Sequence, residues 1–144
     1  MSIWFKNYNI EDFHSSINID KLLEIEFVEI GNDFLKARMP VNEKTRQPLG
    51  LLHGGASCVI AESTASCAAY LTVDPSKKTV VGLSLTANHI KSITEGFVYA
   101  TASPNHLGKT TSIWDVKIED EMGNLIFPIS SSIFTSHIDV VFPK

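Results

Sequence analysis

From Leu22 to Val41 apolar and charged residues alternate on both sides of Gly31-Asn32. Leu23, Ile25 and Phe27, then Leu35, Ala37 and Met39, fall on one side of an extended chain, so the spacing predicts a hairpin turning at Gly-Asn. The two-residue period returns four times after residue 78, in TVVGLSLTANHIKSI, GFVYATASPNHL, TTSIWDVKIED and LIFPISSSIFTSHI. Glu95-Gly96, His106-Leu107-Gly108 and Glu121-Met122-Gly123-Asn124 separate these runs and read as turns. Four antiparallel strands in succession are expected. Val81, Leu83, Leu85 and Ala87 share one face of the first, Val98, Ala100 and Ala102 of the second, and Trp114, Val116 and Ile118 of the third. Pro128 cannot donate to a ladder, which predicts an edge position or a bulge for it.

The stretch GLLHGGASCVIAESTASCAAYL has no such alternation. It follows a charged loop, NEKTRQPLG, and reads as a helix from about Gly55 to Val73, stopped by Asp74-Pro75. A short leading helix is expected in IWFKNYNIEDFHSS, where Trp4, Phe5, Tyr8, Ile10 and Phe13 recur at loosely helical spacing and Asn9 is the cap. Only one long helix is available to cover every strand face, and it is apolar almost all round. The economical α+β arrangement is a curved antiparallel sheet wrapped around that helix, the hotdog fold. No repeat or linker interrupts the 144 residues, so residues 1–144 read as a single domain.

Composition narrows the possible partners. The chain is 44% hydrophobic and 19% charged, with a formal net charge of −4, which offers no general attraction to nucleic acid or to an anionic membrane. No segment has the apolar core of a signal peptide or of a membrane span, so a cytoplasmic location is expected. Cys58 and Cys67, nine positions apart, would lie on opposite helix faces roughly 13 Å apart along the axis, beyond disulfide reach. They read as small apolar packers.

Against this background Glu62 stands out as the one formal charge in its helix. A carboxylate buried without a partner costs several kcal/mol or takes up a proton, so a helix made for packing alone would carry Ala or Gln there. At the helix start His53-Gly54-Gly55 lets a ligand approach free backbone N–H groups at the positive end of the helix dipole, where an oxyanion can be held. Ser66 follows Glu62 by four residues on the same face, and its hydroxyl can hold the carboxylate or a water. Gln47 and His53, just before the helix, are candidate positioning groups.

Taken together, RQPLGLLHGGASCVIAES, VVGLSLTANHIKS and NHLGKTTSIWDVKI resemble the hotdog-fold acyl-CoA thioesterases. The resemblance is closest to the branch of 4-hydroxybenzoyl-CoA, 1,4-dihydroxy-2-naphthoyl-CoA and enterobactin proofreading enzymes. It implies that Glu62 attacks the thioester carbonyl or activates water, that the Gly54 N–H stabilises the oxyanion, and that Gln47 and His53 position the thioester. It also implies that Ser66 lies beside the nucleophilic water. For coenzyme A it implies Gly82, the stretch His89-Ile90-Lys91-Ser92 and the loop His106-Leu107-Gly108-Lys109-Thr110-Thr111. It also implies a homotetramer, a dimer of dimers with active sites between subunits, an aromatic acyl-CoA substrate, and no cofactor beyond the CoA of the substrate. Lys91 stands where relatives often carry Arg, which removes a bidentate fork for phosphate.

Other chemistries fit less well. Ser57 in GGASCV lacks the second glycine and the preceding strand of a nucleophile elbow. His53, Glu62, His89 and His106 do not have the spacing of a metal motif, and no metal is expected. A hotdog dehydratase or hydratase would need a His and an acid in other settings. A non-catalytic acyl-CoA binder has no use for a carboxylate at the thioester.

Overall fold

The computed structural model describes residues 1–13 and 18–137. Six strands form one antiparallel sheet in the order β1-β2-β4-β5-β6-β3: β1 Glu26–Ile30, β2 Leu35–Pro40, β3 Lys78–Ala87, β4 Phe97–Leu107, β5 Thr111–Glu119 and β6 Leu125–His137. A four-residue helix, α1 (Ile19–Leu22), precedes β1, and the long helix α2 spans Gly54–Leu71. The sheet curls around α2, which packs against β2, β3, β4, β5 and β6, and this is the hotdog fold.

The inner face of the sheet carries the expected apolar residues. Leu35, Ala37 and Met39 of β2, Val98, Ala100 and Ala102 of β4, and Trp114, Val116 and Ile118 of β5 are all buried. Alanines on β2 and β4 bring the sheet close to the helix. On α2 the buried positions Ser57, Ile60, Ala61, Thr64, Ala65, Ala68 and Ala69 recur with the helical period. The opposite side, Cys58, Val59, Glu62, Ser63, Ser66 and Cys67, is only half covered.

Several local expectations are corrected. The strand after α2 does not pair with its successor: β3 crosses to the far edge and pairs with β6, in register Ala87↔Ile129 to Lys78↔His137. A bulge between Gly82 and Ser84 shifts its parity. Val80, Leu85 and Ala87 therefore pack on the core, while Val81 and Leu83 are 42% and 63% exposed. The chain leaves β3 after Ala87, and Asn88, Ile90 and Lys91 donate from an irregular segment to the Pro128 and Ile126 carbonyls. Pro128 belongs to a strand with neighbours on both sides, yet it sits one residue past the end of the β3 ladder, where its carbonyl accepts from Asn88 N–H at 3.2 Å. The strand is interior, and the proline occupies a local edge.

The leading helix is reduced to a 3-10 turn, Ile10–Asp12, after Asn9, whose side chain makes no capping bond. Residues 14–17 of that stretch, and Ile138 of the last expected strand, lie outside the described residues. A helix forms instead at Ile19–Leu22, because the Asn18 side chain accepts from the N–H groups of Asp20 and Lys21. Glu24, at φ 57°, then turns the chain into β1, so Leu23 and Ile25 precede the strand in which they were expected. Helix α2 ends at Leu71, two residues early, where the Thr72 hydroxyl donates to the Ala69 carbonyl at 2.7 Å.

Candidate active site

The loop before α2 is fixed by its own backbone. Leu52 N–H donates to the Ile93 carbonyl and His53 N–H to the Thr45 carbonyl, both at 2.8 Å, while Gly50 makes the turn at φ 82°. Within it the Gln47 carboxamide oxygen accepts from Leu49 N–H. His53 is the N-cap, and its Nδ1 accepts from Gly55 N–H at 2.8 Å. That bond makes Nδ1 the acceptor and leaves the ring proton on Nε2. The Gly54 N–H, one position earlier, has no partner among the described residues. It points from the positive end of an 18-residue helix and is available to an anion.

Over this amide lies His89. A Cβ at Gly54 would come within 2.6 Å of its Cε1, and the His89 ring meets Phe127 edge-on at 4.6 Å. Gln47, Gly54, His89, Ile90, Lys91 and Ser92 line one cleft of about 290 Å³. The structure thus brings together two groups of residues that the sequence placed forty positions apart.

Glu62 lies two turns further along α2 and opens onto a groove lined by Ile19, Cys58, Val59, Ser63 and Leu85. Ser66 Oγ donates to its Oε1 at 3.0 Å, as the four-residue spacing predicts. Ser131 Oγ donates to Oε2 at 3.3 Å. Ser131 was not among the residues singled out; the signal for it is the polar interruption ISSSI in an otherwise apolar alternation. Gly82 abuts the same carboxylate, since a Cβ there would fall 2.0 Å from Oε1.

The loop after β4 is elsewhere. Leu107, Gly108 and Lys109 line a cleft of about 650 Å³ with Lys77 and Lys78, two lysines that the sequence reading did not select. Gly108 N–H donates to the Thr111 carbonyl at 2.9 Å, and His106 Nε2 lies 2.8 Å from where a Gly108 Cβ would be, so the turn is tight. The Thr110 carbonyl accepts from Thr135 N–H. Within one chain the stretches 89–92 and 106–111 do not share a cleft. Beside the Glu62 groove, Tyr8, Phe13, Phe27, Cys67 and Tyr70 line a further cleft of about 550 Å³. Asp20, on its border, accepts from Ser63 Oγ at 2.5 Å.

Both cysteines are free. Burial raises the Cys58 thiol, and burial with the nearby Asp20 carboxylate pushes Cys67 up to about 12, so neither is a ready thiolate at neutral pH. Among the described residues no group of three or more His, Cys, Asp or Glu side chains is placed to hold a metal ion.

Residues 49–127 match the family model described as the thioesterase superfamily. The chain is 45% identical over 125 residues to the 1,4-dihydroxy-2-naphthoyl-CoA hydrolase of Escherichia coli, covering 85% of this chain and 91% of that one. The chain belongs to the thioesterase superfamily. It is also 39% identical over 124 residues to the proofreading thioesterase EntH of Cronobacter turicensis, covering 84% and 89% of the two chains. Among solved structures, a mutant thioesterase from Pseudomonas aeruginosa superposes with a TM-score of 0.93 at 38% identity, covering 95% of this chain and all of that one. A Haemophilus influenzae thioesterase superposes at 0.92 with 33% identity, over 98% and 99% of the chains.

This thioesterase is thus an enzyme that hydrolyses thioesters. Its matched segment contains the loop at Leu49–His53, the whole of α2, and the β3, β4 and β5 strands. Chemically, a carboxylate held by two hydroxyls can act as a base or nucleophile, and an amide without a partner among the described residues can hold an oxyanion.

Proposed function

We propose that the protein hydrolyses acyl-CoA thioesters, with an aromatic acyl group, to the free acid and CoA. The observation that carries this reading is the Glu62 carboxylate, open to a groove and anchored by Ser66, on the same helix whose first amide is free. Glu62 attacks the carbonyl or activates water, and both routes use the same ionised carboxylate. The Gly54 N–H takes the developing oxyanion charge, while Gln47 and His53 hold the thioester.

Gly54 and Glu62 are eight residues apart on one helix, which separates them by about 12 Å along the axis. One carbonyl cannot touch both. The active site is therefore completed by a second copy, one chain giving the Gln47, His53 and Gly54 side and the other giving Glu62. Strand β3 supports this arrangement: it is a ten-residue edge strand with Val81 and Leu83 exposed, a template for pairing with its own copy. Two such pairs would make the homotetramer that the resemblance implies.

Lys91 and Lys109, with Lys77 and Lys78 beside the latter, meet the CoA phosphates across that interface. Gly82 serves the carboxylate as well as any nearby CoA contact. The aromatic lining of Tyr8, Phe13, Phe27 and Tyr70 next to the Glu62 groove favours a flat acyl group. A cytoplasmic location agrees with two free cysteines. The test is thiol release from benzoyl-, hydroxybenzoyl-, short-chain and long-chain acyl-CoAs. Aromatic substrates are expected to give the highest kcat/KM; fastest turnover of aliphatic chains would overturn the aromatic assignment, and no release from any CoA ester would overturn the CoA assignment.

A further inference from the structure

We infer that Ser131 is a positioning residue for hydrolysis, holding Oε2 of Glu62 as Ser66 holds Oε1. The inference rests on the reading of Glu62 as the reacting carboxylate, and adds a residue from β6 to a site otherwise built from α2 and its preceding loop.

Ser131 is out of place as a packing residue. It is fully buried on the inner face of β6, where its neighbours along the strand are the buried Ile129 and Ile133. Its cross-strand partners are Trp114 on β5 and Leu85 on β3, so four apolar side chains surround it within the sheet. A hydroxyl there needs a hydrogen-bond partner, because burial without one costs more than an apolar side chain of the same size. The partner is Glu62 Oε2 at 3.3 Å.

The consequence is directional. A glutamate on a helix turns about three side-chain bonds, and one hydroxyl, Ser66, grips a single oxygen from the same helix. A second hydroxyl from the sheet grips the other oxygen, and Gly82 forms the wall behind Oε1. The carboxylate is then held from two elements at the border of the groove. With no exposed surface of its own, Ser131 cannot reach substrate in this structure, so it acts through Glu62.

Ser131→Ala removes the donor at nearly the same volume, and Ser131→Cys keeps the shape of the side chain with a slightly larger, poor donor. Both are expected to fold with unchanged circular dichroism, to leave KM for the best acyl-CoA unchanged, and to lower kcat by about tenfold. In a Glu62→Asp background the shortened carboxylate has withdrawn from Ser131, so adding Ser131→Ala should change kcat less than twofold. A kcat for Ser131→Ala within twofold of wild type, in an enzyme that Glu62→Gln inactivates, would overturn the inference alone. An equal tenfold loss in the Glu62→Asp background would also overturn it, by showing that Ser131 acts on the structure at large. Wild-type turnover by Glu62→Gln would instead remove the reading of the site on which it rests.

Discussion

The carboxylate of Glu62 occupies the space that a side chain at position 82 would need. A Cβ on Gly82 would lie 2.0 Å from Glu62 Oε1, closer than real Cβ contacts come, and 3.0 Å from its Cδ. A side chain at position 82 would therefore push the Glu62 carboxylate aside, although the backbone there is extended, within a strand, and places no demand of its own for glycine. The bulge that follows it explains why β3 can pass so near the helix without pressing Leu83 into the carboxylate.

Gly82→Ala is therefore expected to displace Glu62 while leaving the fold intact. Thiol release should fall by about a hundredfold, since small misplacements of a reacting group cost that much. Thermal unfolding followed by circular dichroism would show a folded protein, and wild-type turnover by a folded variant would contradict the geometry.

The separation of Gly54 from Glu62 along one helix makes a second expectation. Glu62→Ala removes the carboxylate, and Gly54→Pro removes the amide proton at a first-turn position whose predecessor, His53 at ψ 128°, has the extended backbone that proline asks for, while its added Cβ turns aside the His89 ring on the same side of the site. Each variant alone should be inactive. Refolded together, randomly mixed dimers should recover roughly a quarter of wild-type activity, because half of the dimers carry one intact site of two. Absence of recovery would contradict a site shared between subunits.

In the core, Trp114 is the largest fully buried side chain, and its indole N–H donates at 2.8 Å to the Oγ of Ser112, which also borders the cleft of Gly108 and Lys109. Ser112→Ala leaves that N–H buried without a partner, at a cost of about 1–3 kcal/mol. The Tm should fall by several degrees with kcat little changed. A Tm equal to wild type would show that water replaces the hydroxyl.

Much of this was legible in the chain itself. The period-two runs placed the strands that became β2, β4 and β5, because those strands are buried on one face and solvated on the other. Glu62 and Ser66 could be paired by helical spacing alone. Position within the sheet was not legible: nothing local tells β3 to cross to β6, and the Gly82/Ser84 bulge that reverses its parity lies in the pairing with β6, whose residues are about fifty positions away. Ser131 was hidden for the same reason, since its partner is 69 positions away. The leading helix shrank to a single turn, Ile10–Asp12, where Asn9 makes no side-chain capping bond, while Asn18 caps the next short helix.

The most direct measurement is the turnover of Glu62→Gln, which keeps the shape of the side chain and removes its charge. With an aromatic acyl-CoA at saturation, kcat is expected to fall by at least about a thousandfold while the acyl-CoA still binds with near wild-type affinity by calorimetry. A folded Glu62→Gln protein that releases thiol at a rate close to wild type would contradict the central role of this carboxylate.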